Sequence, residues 1–254
     1  VKSNILPVYF RELKAIFYSP VAYLVLFAFY ILSSWFWMSI VSYFAQASMR
    51  AMRQGGGGGV RLSELFSAFY GNTAVTFIFL LPLVSMRLFS EEKKSGTIEM
   101  LFTYPLSDLD ILLGKFFASL TLLLAMLLPL LILPLGIRSA TTMHWPSVAV
   151  GFGGRFRMGA AFLALSLFTS ALTENQVVAA AMGFGSLLLL FVVGWMEGNV
   201  SGFVRELLNQ LSVTNHFQDL AKGVVNLKDL SYFALLIFVS LFATLRVLES
   251  KKWR

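Results

Sequence analysis

The chain has 254 residues, of which 57% are hydrophobic and 13% charged, with a formal net charge of +7 and no Cys. A soluble domain is nearer a quarter charged and under half apolar, so this composition excludes an ordinary aqueous domain and makes the bilayer the relevant solvent. The missing Cys excludes a disulfide scaffold, a thiolate metal site and a thiol nucleophile, while Lys and Arg clustered at the ends of apolar runs read as orientation signals rather than a nucleic-acid surface.

In chain order, residues 4–17 are expected to form an amphipathic interfacial helix. Ile5, Val8, Tyr9 and Phe17 share one face, and Arg11 and Lys14 face water. Pro20 separates this elbow from the next segment, because the residue before a proline avoids the helical region. No cleavable signal peptide is expected, since the apolar run that follows is long enough to stay in the membrane. The windows 21–44, 65–86, 116–137 and 175–196 contain no Asp, Glu, Lys or Arg. Twenty-two helical residues measure about 33 Å, enough to cross a hydrocarbon core of about 30 Å. Two shorter windows, 158–173 and 230–245, become adequate with snorkelling flanks.

The expected fold is therefore all-α, a single transmembrane domain over 1–254. Its six spans are placed at about 21–44, 65–86, 112–137, 150–173, 175–196 and 230–248. Pro82, Pro129 and Pro134 are candidate kink positions, and the five glycines at 55–59 form a flexible linker by composition. With an even number of spans, one side holds 11 Lys and Arg residues and the other 7, with Arg155 and Arg157 unassigned. Both termini are accordingly expected on the cytoplasmic side.

The connection from Arg87 to Lys115 is long for a link between spans and strongly patterned. Glu91, Glu92, Lys93, Lys94 and Glu99 make a charged surface, and Ile98, Leu101 and Phe102 an apolar stripe at helical spacing. Tyr104 and Pro105 end that helix, and Ser107 with Asp110 has capping-box spacing for the next. A charged amphipathic helix in the cytoplasmic segment 88–110 suits docking of a soluble partner, although a helix lying on lipid has the same pattern. In the fourth span, Arg155 and Arg157 point about 200° apart, so they cannot share one pore-facing stripe. Two readings stand: both snorkel to the outer interface, or one lines the pathway and meets an anionic substrate group. The external segment 198–229 reads as two short amphipathic helices with a break near Thr214 and Asn215.

Enzyme readings fail on their own requirements. A phosphate-cradling GxxxxGK[ST] loop is absent: Gly114-Lys115 is followed by Phe116, and position 109 is Leu. His144 and His216 do not form HExxH, and no metal site is expected. Ser186 has no His within a span to serve as its base.

Glu91-Glu92, Gly96-Thr97 and Glu99, followed by Pro105, Ser107 and Gly114-Lys115, resemble the cytoplasmic motif of ABC-2-type permeases. Arg11-Glu12-Leu13 with Ser19-Pro20 resembles the family's amino-terminal elbow. Thr173-Glu174-Asn175-Gln176 resembles its short cytoplasmic turn between the fourth and fifth spans. Asn215-His216-Phe217 and Asp229-Leu230 resemble the outer segment of the gliding-motility-type branch.

The resemblance implies a dimer with a second permease subunit, identical or similar, above two ABC nucleotide-binding (ATPase) subunits that carry the ATP and Mg. It implies the bacterial inner membrane, export rather than import, and no cofactor on this chain. It assigns Glu91, Glu92, Gly96, Thr97 and Glu99 to the ATPase contact, with Glu174 and Asn175 as a second contact. On that basis Glu92→Lys and Gly96→Pro are expected to uncouple the subunits without unfolding the chain. Competing readings are an ion-gradient transporter, disfavoured because every span interior apart from Arg155 and Arg157 lacks charge, and a membrane scaffold without transport.

Overall fold

The computed structural model describes residues 5–53, 62–97, 107–137, 145–196 and 201–252. Glu99, the apolar stripe of the expected docking helix and the five-glycine linker lie outside the described residues. Among the described residues all regular structure is helical, and six helices are long and apolar enough to cross a membrane.

Helix α1 (Ile5–Tyr18) ends at Ser19, and α2 (Pro20–Arg53) starts at once. Ser19 Oγ accepts from the Val21 backbone N–H at 3.3 Å, with Pro20 at the first helical position, where its missing N–H costs nothing. α2 continues nine residues past the expected end at 44, because Gln46, Arg50 and Arg53 are good helix formers that carry the coil out of the apolar zone. α3 (Leu62–Lys94) likewise takes in Glu91–Lys94, which the sequence reading placed in a separate docking helix. The coil stops after them at Gly96, whose φ of +71° is the left-handed conformation glycine adopts without strain.

The expected capping box opens α4 (Asp108–Leu127): Ser107 Oγ accepts from Asp110 N–H at 3.1 Å, and Ser107 N–H donates to Asp110 Oδ2 at 3.3 Å. Near Pro129 the coil tightens into a 3₁₀ segment, Leu128–Ile137. α5 (Trp145–Leu172) begins five residues before the expected 150, since Trp145–Ala149 is as apolar as the span it extends. α6 (Gln176–Met196) follows a three-residue turn. Two short helices, α7 (Phe203–Leu211) and α8 (Val213–Ala221), precede α9 (Leu227–Lys252).

α3 and α5 form the centre, with α2, α4, α6, α8 and α9 packed around them. Phe29 of α2 stacks on Phe77 of α3 at 5.6 Å, and Trp37 meets Phe69 edge-on at 5.1 Å. Such aromatic pairs add about 0.5–1.5 kcal/mol beyond burial. α6 packs closely at Gly183, where a Cβ would sit 3.2 Å from Pro82 Cβ of α3 and 3.1 Å from Thr169 Oγ1 of α5. Small residues at such crossings let span backbones approach. The outward faces of α2, α6 and α9 expose Phe27, Ile31 and Trp35, Leu189 and Trp195, and Leu235 and Phe238.

Candidate functional site

At the end of the bundle that carries α1, four charged side chains from three helices form a closed ring. Lys115 Nζ lies 3.1 Å from Glu12 Oε2 and 2.9 Å from Glu92 Oε2. Arg11 Nη2 lies 2.5 Å from Glu12 Oε1 and 2.9 Å from Glu92 Oε1. Each carboxylate therefore bridges both cations. Lys115 has a side-chain exposure of only 1%, so its ammonium has lost its water and depends on this pair of carboxylates. Burial works against the Arg11 charge, but Glu12 and Glu92 outweigh it and hold the guanidinium pKa above its ordinary value.

Gly114 makes the ring geometrically possible. A Cβ there would lie 2.6 Å from Val8 Cγ1 and 2.8 Å from Val8 Cβ, so only glycine lets α1 settle against α4. Tyr9 closes the same contact with a 2.9 Å hydrogen bond to Thr121. The Gly114-Lys115 pair, rejected as a phosphate loop, has a structural account. The glycine admits α1 and the lysine binds it.

A second set of bonds ties the same end of α3 to the end of α5. Ser170 Oγ donates to the Met86 carbonyl at 2.8 Å and accepts from the Phe89 and Ser90 N–H groups at 3.2 Å each. The Lys93 ammonium donates to the Ala171 carbonyl in the last turn of α5, where the helix dipole favours a cation. Beyond it, Thr173 Oγ1 accepts from Asn175 N–H at 3.1 Å, and Asn175 Oδ1 caps α6 by accepting from Val177 N–H at 2.9 Å.

The expected partner contacts are thereby placed. Glu91, Gly96 and Thr97 are exposed at the end of α3, and Glu174 and Asn175 are exposed in the α5–α6 turn. The Lys93–Ala171 bond joins the two groups into one surface. Glu92 differs from the others because it is a member of the charged ring. Sequence reasoning missed Lys115, Ser170 and Lys93 as links. Only the Gly-Lys dipeptide gave a signal, since distance along the chain hides pairings such as Glu12 with Lys115.

Arg155 is 1% exposed, its Cζ 4.2 Å from the Tyr70 ring centroid and 4.9 Å from that of Phe69. Cation–π contact with two desolvated rings offsets part of the cost of burying the charge. The surrounding glycines explain the Gly153-Gly154-Arg155-Phe156-Arg157 interruption of this span. Gly151 leaves the notch that the Tyr70 ring fills, and a Cβ on Gly154 would lie 2.8 Å from Leu220 Cβ of α8. Arg157 is half-buried on the other side of the helix. A cavity of about 590 Å³ opens at this end of the bundle, among Glu64, Gly71, Met158, Phe191, Thr214 and Phe217, and neither arginine lines it.

At the same end, His216 Nδ1 lies 2.7 Å from Asp229 Oδ1 and its Nε2 lies 3.2 Å from the Gln210 carbonyl. The ring stacks on Tyr232 at 4.2 Å, and the Tyr232 hydroxyl donates to the Leu211 carbonyl at 2.8 Å. One buried cluster thus fastens α7 and α8 to the start of α9. Among the described residues no group of His, Cys, Asp and Glu is arranged to hold a metal ion.

Comparison with known proteins adds an independent line. A family model described as "ABC-2 family transporter protein" matches residues 6–248. The chain is also 28% identical over 194 residues, 69% of each chain, to a protein of Pseudomonas aeruginosa named as a probable ABC transporter permease protein, NosY.

Proposed function

We propose, from the premise that this chain belongs to the ABC-2 family of transporter proteins, that it is the membrane-spanning permease subunit of an ATP-driven exporter. The six apolar helices and the family make it a multi-pass membrane permease. The motor is a separate nucleotide-binding subunit that carries the ATP and Mg. A second permease subunit completes the pathway, and the exposed apolar faces of α2, α6 and α9 are available to it and to lipid. The α1 end faces the cytoplasm of a bacterial inner membrane, with both termini on that side, as the Lys and Arg distribution favours.

The observation that carries this reading is the joined surface at the α1 end. Glu91, Gly96 and Thr97 stand on the end of α3, and Glu174 and Asn175 on the turn tied to it through Lys93. A soluble partner pressing on either patch pushes α3 and α5 together. Because these are the two most central helices, the push reaches the packed interior directly. The charged ring transmits the same displacement to α1 and α4.

The test is a detergent pull-down of the tagged chain from its native membrane, with the co-purifying proteins identified by mass. A soluble subunit bearing a GxxxxGK[ST] loop, in near-equal amount, is the expected companion. The double variant Thr97→Arg, Glu174→Lys should release it while the permease still elutes as a folded species. Recovery of a well-folded permease with no such companion would sink the proposal and favour ion-gradient transport or a scaffold role.

A further inference from the structure

A half-open cavity of about 490 Å³ lies in the wedge between α1, α2 and α3, beside the charged ring. One wall is apolar, made by Ile16, Val21, Ala22, Val84 and Leu88. Arg11, Glu12, Glu92 and Lys115 close another side, but they neutralise one another within the ring. Two lining charges remain, Arg87 and Glu91. They stand four residues apart on one face of α3, where a Glu and an Arg can pair, yet no ion pair joins them. Arg87 Nη1 donates to Ser19 Oγ at 3.3 Å, while its buried Nε has no partner. A buried N–H donor left in this way is normally matched by an acceptor.

We propose that this cavity holds the headgroup of a phosphatidylethanolamine-type lipid, its phosphate on Arg87 and its ammonium on Glu91. The order of chemistry along α3 carries the assignment. Reading from the bundle centre toward the helix end, Val84 is apolar, Arg87 cationic and Glu91 anionic. A zwitterionic phospholipid has the complementary order: acyl chain, phosphate, then ammonium nearest water. The two positions are four residues apart, a rise of about 6 Å along the helix, on the scale of an aminoethyl phosphate. The apolar wall takes the upper part of an acyl chain. Tyr18 at the rim is 85% exposed, as suits an aromatic residue at the headgroup level of a bilayer.

The headgroup choice follows from hydrogen bonding. A primary ammonium has three N–H donors for the Glu91 carboxylate, and a choline head has none. An anionic glycerol head would satisfy Arg87 but face Glu91 with no positive charge. The proposal rests on the chain spanning a bilayer with the α1 end at its surface, and on nothing about the ATPase subunit.

The experiment uses the full chain alone, equilibrated in bilayers with equal phosphatidylethanolamine, phosphatidylcholine and phosphatidylglycerol. Native mass spectrometry after mild detergent release then counts the lipids retained. Phosphatidylethanolamine should exceed each of the others about tenfold, as a charge-assisted contact to one headgroup would give. Arg87→Gln should lose retention of all three, and Glu91→Gln should retain phosphatidylethanolamine and phosphatidylcholine equally. Equal retention of all three by the unaltered chain, or a preference for phosphatidylglycerol, overturns the proposal without reference to any variant. Variants that keep the full ethanolamine preference overturn it as well. Glu91 is also a proposed partner contact, but no partner is present in this measurement, so the two readings fail separately.

Discussion

A single side chain decides whether α1 can rest on the bundle. Gly114→Ala places a methyl 2.6 Å from Val8 Cγ1, and because Val8 Cβ is nearly as close the valine cannot rotate clear. Overpacking of this kind costs about 1–3 kcal/mol. The expected result is a lower thermal midpoint for the purified protein, recovered when Val8→Ala is added. Lys115 is the next residue in the chain and acts through charge. Lys115→Met strands Glu12 and Glu92 with Arg11 alone, a loss of about 3 kcal/mol for a broken buried pair, and Lys115→Arg should restore part of the loss. The ring also changes what Glu92 can report. Glu92→Lys would set a third cation between Arg11 and Lys115 and disturb α1 itself, so it is not the clean uncoupling variant the sequence suggested. Thr97 and Glu174 are exposed, which suits that test better. Arg155 makes the opposite prediction. Arg155→Met keeps volume against Phe69 and Tyr70 while removing a buried charge whose Nε and Nη2 have no hydrogen-bond partner, which relieves a desolvation cost. Unchanged transport with an equal or higher thermal midpoint is expected. A loss of transport at unchanged stability would show that the guanidinium handles substrate.

Among the elements, those with a local cause were legible in the sequence and those set by tertiary contact were not. The capping box at Ser107 and Asp110 and the break before Pro20 are written in a few adjacent residues, and both are present. The break between α7 and α8 was placed at Thr214 and Asn215, two residues late. Asn215 reads as a helix breaker, yet it sits in the first turn of α8, and its backbone N–H is the group that Ser212 Oγ caps at 3.2 Å. Ser212 also ends α7, donating its N–H to the Leu208 carbonyl at 3.0 Å. One residue therefore closes one helix and opens the next. Ser212→Ala should cost about 0.5–2 kcal/mol, the usual loss for a missing N-cap. Faster amide exchange confined to the start of α8 is the measurement. The charged ring was illegible because Arg11 and Glu12 of α1 lie about 80 or more positions before Glu92 and Lys115, and no periodicity connects the two pairs.

For the whole molecule, the missing Cys becomes an experimental convenience. Single substitutions Lys94→Cys and Met52→Cys need no background removal, and both positions are exposed. A membrane-impermeant maleimide should label Met52→Cys in intact cells and Lys94→Cys only after the membrane is opened; the reverse pattern would invert the proposed orientation. The six-span count was legible because charge-free length is a bulk property of the sequence, whereas helix ends beyond the apolar zone obey helix propensity instead of hydropathy. The close crossing of α6 over α3 has a mechanical corollary. Gly183 meets α3 at Pro82, leaving 12 residues of α3 toward Lys94 and 20 toward Leu62. At 1.5 Å per residue the arms measure about 18 Å and 30 Å. If α3 rocks on that crossing as a stiff beam, a displacement of about 3 Å at the short arm becomes about 5 Å at the long one. Under that motion the off-centre fulcrum would trade force at one end of α3 for travel at the other.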